Sequence, residues 1–209
     1  MPSRFSALSS LAAAAILLGS AVGAHAAGDP AAGEKKFYTC YGCHGLPNYR
    51  NAYPDYSVPM LRHQSAAYIV AALQAYRAGT RPHATMHAQA ASLSDQDIDD
   101  IAAYLQAEPI KPAMSAAGKK PAQVEACVAC HGENGTGVAT DLTPKPPVLA
   151  GQHVDYLEEA LTAYKNGRRK SAVMNGMVSG LKNAEDIRIA AEYFASQKSE
   201  LATATVDSK

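Results

Sequence analysis

The 209-residue sequence has no surplus of either charge, with 19 Lys and Arg against 19 Asp and Glu. No basic run exceeds Arg168-Arg169-Lys170. Both absences argue against nucleic acid as a partner, because such proteins carry a basic excess that neutralises phosphates. After the N-terminal stretch no apolar run approaches the roughly 20 residues that cross a bilayer. No segment sustains the apolar–polar alternation of a half-buried strand, and no βαβ pattern is visible. Cysteine is scarce, at four residues. All four fall in two short motifs, with none left over.

The motifs are Cys40-Tyr41-Gly42-Cys43-His44 and Cys127-Val128-Ala129-Cys130-His131. Their spacing is that of c-type haem attachment. Two cysteines three apart can form thioethers with the two vinyl groups of one porphyrin, and the histidine that follows points at the iron. A zinc ribbon also pairs CxxC motifs, but usually closer together and with no need of a following histidine. A thioredoxin-like site needs one motif in a βαβ setting. Two disulfides would leave both histidines unexplained. The sequence therefore predicts two covalently bound haem c groups, on Cys40 and Cys43 and on Cys127 and Cys130. His44 and His131 are the expected proximal iron ligands.

The N-terminus has the form of an export signal. Arg4 supplies the positive end, residues 11–18 a short apolar core, and Ala24-His25-Ala26 a small-x-small cleavage site. Residues 1–26 are expected to be removed and the mature chain to start at Ala27 in the periplasm. That suits a cofactor generally attached outside the cytoplasm.

The rest is one unit written twice. Residues 59–86 align without gaps on 147–174, pairing Leu61 with Leu149, Gln64 with Gln152 and Tyr68 with Tyr156. The pairing continues through Leu73 and Leu161, Tyr76 and Tyr164, Gly79 and Gly167, and Arg81 and Arg169. Duplication at this scale means two domains of one fold, here residues 27–108 and 122–200. The Pro- and Gly-containing stretch 109–121 reads as a short linker that keeps them close. The polar tail 201–209 is expected to fray. Ser65 can cap a helix burying Ile69, Ala72, Leu73 and Tyr76, ended by Gly79. Ser94 and Asp97 resemble a capping box opening a helix with Ile98, Ile101, Ala102 and Leu105 on one face. The second half repeats both, and Asp29-Pro30 is a further helix start. The class is all-α, with each half too small for a self-supporting core unless a haem adds apolar area.

Each half carries one methionine at the same place in the repeat, Met86 and Met174, 42 and 43 residues past its histidine. Both are expected in the loop between the two long helices, as the distal iron ligands. A thioether favours Fe(II) and raises the reduction potential. Met177 has no counterpart in the first half, where Gln89 stands. His63, His83 and His87 compete with Met86 on paper, and a bis-histidine haem would have a much lower potential. They are otherwise exposed loop residues titrating near neutrality. Pro59 and Pro147 stand at matched positions, where a carbonyl could accept from the proximal histidine and fix its tautomer. Tyr68, Tyr76, Tyr156 and Tyr164 are expected to pack near the haems.

These residues resemble the class I cytochromes c and, more closely, the two-domain dihaem cytochrome c4 family. The carriers are both CxxCH motifs, Cys130-His131-Gly132-Glu133-Asn134-Gly135, Pro147-Val148-Leu149-Ala150-Gly151-Gln152, and Leu93-Ser94-Asp95-Gln96-Asp97-Ile98 before Tyr104. The resemblance implies two tandem, pseudo-symmetric domains, each wrapped around one covalent His/Met haem with the haem edges close together. It implies a periplasmic electron carrier, with no bond-making chemistry, between a respiratory donor and a terminal oxidase or other reductase. Peripheral association with a membrane complex would fit that role. The first domain departs from the pattern: Leu46-Pro47-Asn48-Tyr49 follows Gly45, and Arg62-His63 replaces Ala150-Gly151. Two alternatives stay open, a dihaem subunit of a dehydrogenase of the flavocytochrome sulfide dehydrogenase type, and a dihaem enzyme with one open iron site.

Overall fold

The computed structural model describes residues 27–107, 116–137 and 145–205. The signal-peptide expectation for 1–26, most of the linker and the last four residues lie outside them. The described residues are helical. They contain no strand, only two isolated antiparallel bridges, Arg50 with Ser57 and Arg62 with Ala202.

The first domain runs α1 (Pro30–Lys36), a 3-10 turn (Phe37–Cys40), α2 (Tyr41–His44), α3 (Ala66–Arg77), α4 (Ala84–Ala91) and α5 (Asp95–Gln106). The second has a 3-10 turn (Ala122–Val124), then α6 (Val128–His131), α7 (Val154–Lys165), α8 (Ala172–Met177) and α9 (Ala184–Ala195). Local chemistry sets the ends. Asp29 caps α1, accepting from the Ala31 amide at 2.9 Å, with Pro30 in the first turn where its missing N–H costs nothing. Ser94 and Asp97 exchange both bonds of a capping box at the start of α5. Gly79 and Gly167 follow the C-caps of α3 and α7 with φ of 70° and 73°, a left-handed geometry that a Cβ opposes.

In the first core, Phe37, Ile69, Ile101, Ala102 and Leu105 are buried together, and α1 crosses α5 closely. Gly33 permits that approach: a Cβ there would lie 2.0 Å from the Asp100 carbonyl oxygen. The second core gathers Val124, Leu157, Ala190, Ala191 and Phe194.

The two halves meet about a pseudo-two-fold axis. Gln64 Nε2 donates to the Val148 carbonyl at 3.0 Å, and the Val148 amide donates back to Gln64 Oε1 at 2.7 Å. At the matching place Gln152 Nε2 donates to the Met60 carbonyl and the Met60 amide to Gln152 Oε1, both at 3.0 Å. Each buried amide side chain thus closes a two-bond ring with the other domain's backbone. Arg50 and Ser57 add bonds to Asp155.

The tail corrects a sequence expectation. Leu201 to Thr205 do not fray. The Arg62 amide donates to the Ala202 carbonyl at 2.9 Å, the Ala202 amide to the Arg62 carbonyl at 3.1 Å, and the Ala204 amide to the His44 carbonyl at 3.1 Å. Ala204 is 1% exposed within the first domain's core. Small residues allow the chain to lie against that domain, and the bonds come from partners about 140 to 160 positions earlier, which local composition cannot show.

Candidate haem sites

Each CxxCH motif forms one helical turn, α2 or α6, ending at its histidine. Residues three apart on such a turn share a face, so the paired thiols point to one side. All four cysteines are free and partly buried. Burial pushes the Cys40 and Cys127 thiols above their ordinary range. His44 and His131 are buried. His44 Nδ1 lies 3.0 Å from the Pro59 carbonyl oxygen, and His131 Nδ1 3.2 Å from that of Pro147. A carbonyl only accepts, so Nδ1 carries the proton and Nε2 keeps its lone pair. Burial lowers the His44 pKa to about 4 and that of His131 in the same direction. Neutral imidazole is the form that ligates metal.

In the first domain Cys40, Cys43, His44 and Met86 line one cleft, which encloses about 870 Å³ of free space including its open mouth. Val58, Leu61, Ile69 and Ala72 make its walls largely apolar. Thiols, imidazole and thioether on one apolar cleft fit the chemistry of a covalently attached haem, which Cys40 and Cys43 would hold by its vinyl groups and His44 and Met86 by its iron.

The methionines are not in loops as expected. Each occupies the third position of a short helix, Met86 in α4 and Met174 in α8. A side chain three residues earlier caps each helix and holds the methionine amide: His83 Nδ1 accepts from Met86 N at 3.2 Å, and Ser171 Oγ from Met174 N at 3.2 Å. Sequence reasoning missed both caps, although a serine three residues before Met174 was a visible signal. His83 is also not an exposed residue titrating near neutrality. It is half-buried between the rings of Tyr56 and Tyr76, and burial, then Arg81, hold its pKa below the ordinary value. His87 is exposed, and its Nδ1 donates to the Tyr76 carbonyl at 2.8 Å. Asn175 does the same for the Tyr164 carbonyl at the matching place in the second half. Both side chains tie the methionine helix to the helix before it.

A second set, with Arg81 buried and Arg169, Tyr68 and Tyr156 half-buried, was not anticipated as such. Arg81 Nη2 donates to Tyr156 OH at 3.0 Å, and Arg169 Nη2 to Tyr68 OH at 2.9 Å, each across the domain interface. Each guanidinium also lies 4.4 Å from a tyrosine ring centre in its own domain, Tyr76 or Tyr164. Tyr156 lines the first domain's cleft. Burial works to raise the Tyr68 pKa, but Arg169 and Arg81 outweigh it and draw it down. Neither arginine pairs with a carboxylate among the described residues. A poorly solvated cation without a counter-charge is costly, and the anionic propionates of a haem would supply the charge that no protein carboxylate gives Arg81 and Arg169 among the described residues.

A model of the cytochrome c family matches the chain twice, over residues 30–108 and 115–196. Cytochrome c4 of Azotobacter vinelandii is 33% identical over 197 residues, covering 81% of this chain and 90% of that protein. The thiosulfate dehydrogenase electron acceptor of Stutzerimonas stutzeri is 32% identical over 174 residues, covering 75% and 77%. The crystal structure of reduced recombinant cytochrome c4 from Pseudomonas stutzeri superposes with a TM-score of 0.61 at 28% identity, over 82% of this chain and all of that one. With two family matches, two attachment turns and a cleft suited to the macrocycle, the chain belongs to the cytochrome c family in its two-domain cytochrome c4 branch and carries two covalent haem c groups.

Proposed function

We propose that this electron-transfer cytochrome is an exported, periplasmic carrier that moves single electrons between a respiratory donor and a terminal oxidase or reductase. His44 and Met86 would hold the iron of the first haem, and His131 and Met174 that of the second. The observation that carries this reading is the cleft on which Cys40, Cys43, His44 and Met86 converge, together with the matched cap that holds each methionine. The haem supplies a one-electron Fe(III)/Fe(II) couple. The chain's own residues do the rest. Pro59 and Pro147 fix the histidine tautomer, Met86 and Met174 favour the reduced state, and apolar walls exclude water. Two side-chain ligands at each iron would leave no position open to a substrate. Among the described residues no helix is long and apolar enough to cross a membrane.

A second reading draws on the relative named as a thiosulfate dehydrogenase electron acceptor: the donor would be a dehydrogenase, with the same one-electron role.

A spectroelectrochemical titration tests the proposal through the weak absorption near ~695 nm expected of methionine on Fe(III) haem. Both haems should be low-spin and show it, and Met86→Ala should remove it from one haem only. A resting haem that is high-spin, or that lacks the band in the unmodified protein, would overturn the ligand assignment and favour an enzyme with an open iron position.

A further inference from the structure

The duplication supplies an internal control for the surface. Site and interface positions match between the halves, but the exposed positions around the methionine helices do not. In α8, Val173 and Met177 stand 61% and 43% exposed beside Met174. The first half carries Thr85 and Gln89 at those positions, exposed but polar. The second half also exposes Arg168 and Lys170, where the first has Thr80 and Pro82, and Lys182 at a one-residue insertion before α9; Lys165 is exposed where the first half has the half-buried Arg77. Residues 160–184 include no Asp or Glu. Lys165 donates to the Leu181 carbonyl, Arg168 pairs with Glu159 at 2.8 Å, and Lys182 lies near Asp186. Lys170 pairs with no carboxylate among the described residues. A Cβ at Gly176 or Gly180 would meet no atom within 4 Å, so these positions face open space.

We propose that this face of the second domain is the docking surface for a redox protein with an acidic rim, and that the matching face of the first domain is not. The inference rests on the electron-carrier reading. Exposed apolar side chains can dehydrate the centre of a contact, and the cations around them steer an acidic partner and set its orientation. The centre lies on the methionine helix, so docking there would bring the partner close to Met174, the residue that would hold the second haem's iron. The first domain's Thr85 and Gln89 offer neither the apolar centre nor the charged rim.

The test is electron transfer from the fully reduced holoprotein to the Cu(II) of an acidic cupredoxin, one electron per encounter, followed by stopped flow. Its rate constant should fall about tenfold or more from low to physiological ionic strength. Lys170→Gln with Lys182→Gln should remove most of that salt dependence. Val173→Thr with Met177→Gln should slow transfer at every salt concentration and leave the slope intact. Thr80→Glu, on the first domain's face and away from its cleft, should change little. A rate indifferent to salt, variants that behave as the unmodified protein, or an equal response to Thr80→Glu would overturn the proposal. So would variants whose defect appears only in retention by anionic lipid vesicles, or in self-association, and not in transfer. If both haems still titrate reversibly with one electron each while docking shows none of the expected behaviour, the docking surface fails and the carrier reading stands.

Discussion

Residue by residue, the site depends on small local bonds that fix larger groups. Met86 and Met174 are each held by a cap three residues before them, one a histidine and one a serine. Losing an N-cap typically costs about 1 kcal/mol. Ser171→Ala should therefore lower stability by about that much, read by guanidinium titration, and should loosen Met174, read as a weaker ~695 nm band from the second haem. His83→Ala should do the same to the first haem, whereas His83→Ser should restore much of the loss, because serine serves in the other half. The CxxCH histidines and the two prolines were legible because spacing and repetition define them. The cap made by His83 was not, since sequence placed a histidine near a methionine without showing which atom its Nδ1 would face.

Among the elements, the crossing of α1 and α5 is the clearest case of close fit. Gly33→Ala would drive a Cβ into the Asp100 carbonyl, and overpacking of this kind costs about 1–3 kcal/mol. The measurement is a thermal or denaturant midpoint. The same crossing carries a charge cluster, with Lys36 Nζ 2.6 Å from both Asp97 and Asp100. The Lys36 bond, then Ser94 for Asp97 and the Asp29 amide for Asp100, hold both carboxyls below their usual range. A lowered carboxyl pKa stabilises the fold above the unfolded value near 4, and that stabilisation disappears as pH falls through the lowered value. Lys36→Met should therefore be less stable than the unmodified protein at pH 7, with the gap closing below about pH 4. A gap unchanged between pH 7 and pH 2 would contradict the linkage. The long helices α3, α5, α7 and α9 were legible, because their apolar periodicity and their caps or terminal glycines agree. The short helices α4 and α8 were not. A helix of six or eight residues has too few turns to show a period, and tertiary packing rather than propensity stabilises it.

At the scale of the whole molecule, the halves are joined by side chains that replace backbone pairing. Gln64→Ala would leave the Val148 amide and carbonyl without their partners, as Gln152→Ala would those of Met60. Each should cost about 2 kcal/mol, and the double variant should split one unfolding transition into two, read by calorimetry. In that double variant, further removal of residues 202–209 should lower the first domain's transition and leave the second's nearly in place, since Ala204 packs into the first core and the tail's bridge is to Arg62, whereas Leu201, which packs on Val148 and Ala150, is kept.

What the sequence alone determined is what short-range spacing encodes: two attachment turns, two haems, the duplication, the helical class and the family. Those features depend on residues within a few positions of one another, or on one pattern repeated. The tertiary structure decided what depends on distant parts of the chain meeting. It set the tail of the second domain against the first and placed Tyr156 in the other domain's cleft. It set two repeat arginines, Arg81 buried and Arg169 half-buried, against tyrosines across the interface. No local pattern records such contacts, because the energy that fixes them comes from burial and hydrogen bonding between segments separated by about 75 to 160 residues, and it exists only once the two domains have folded together.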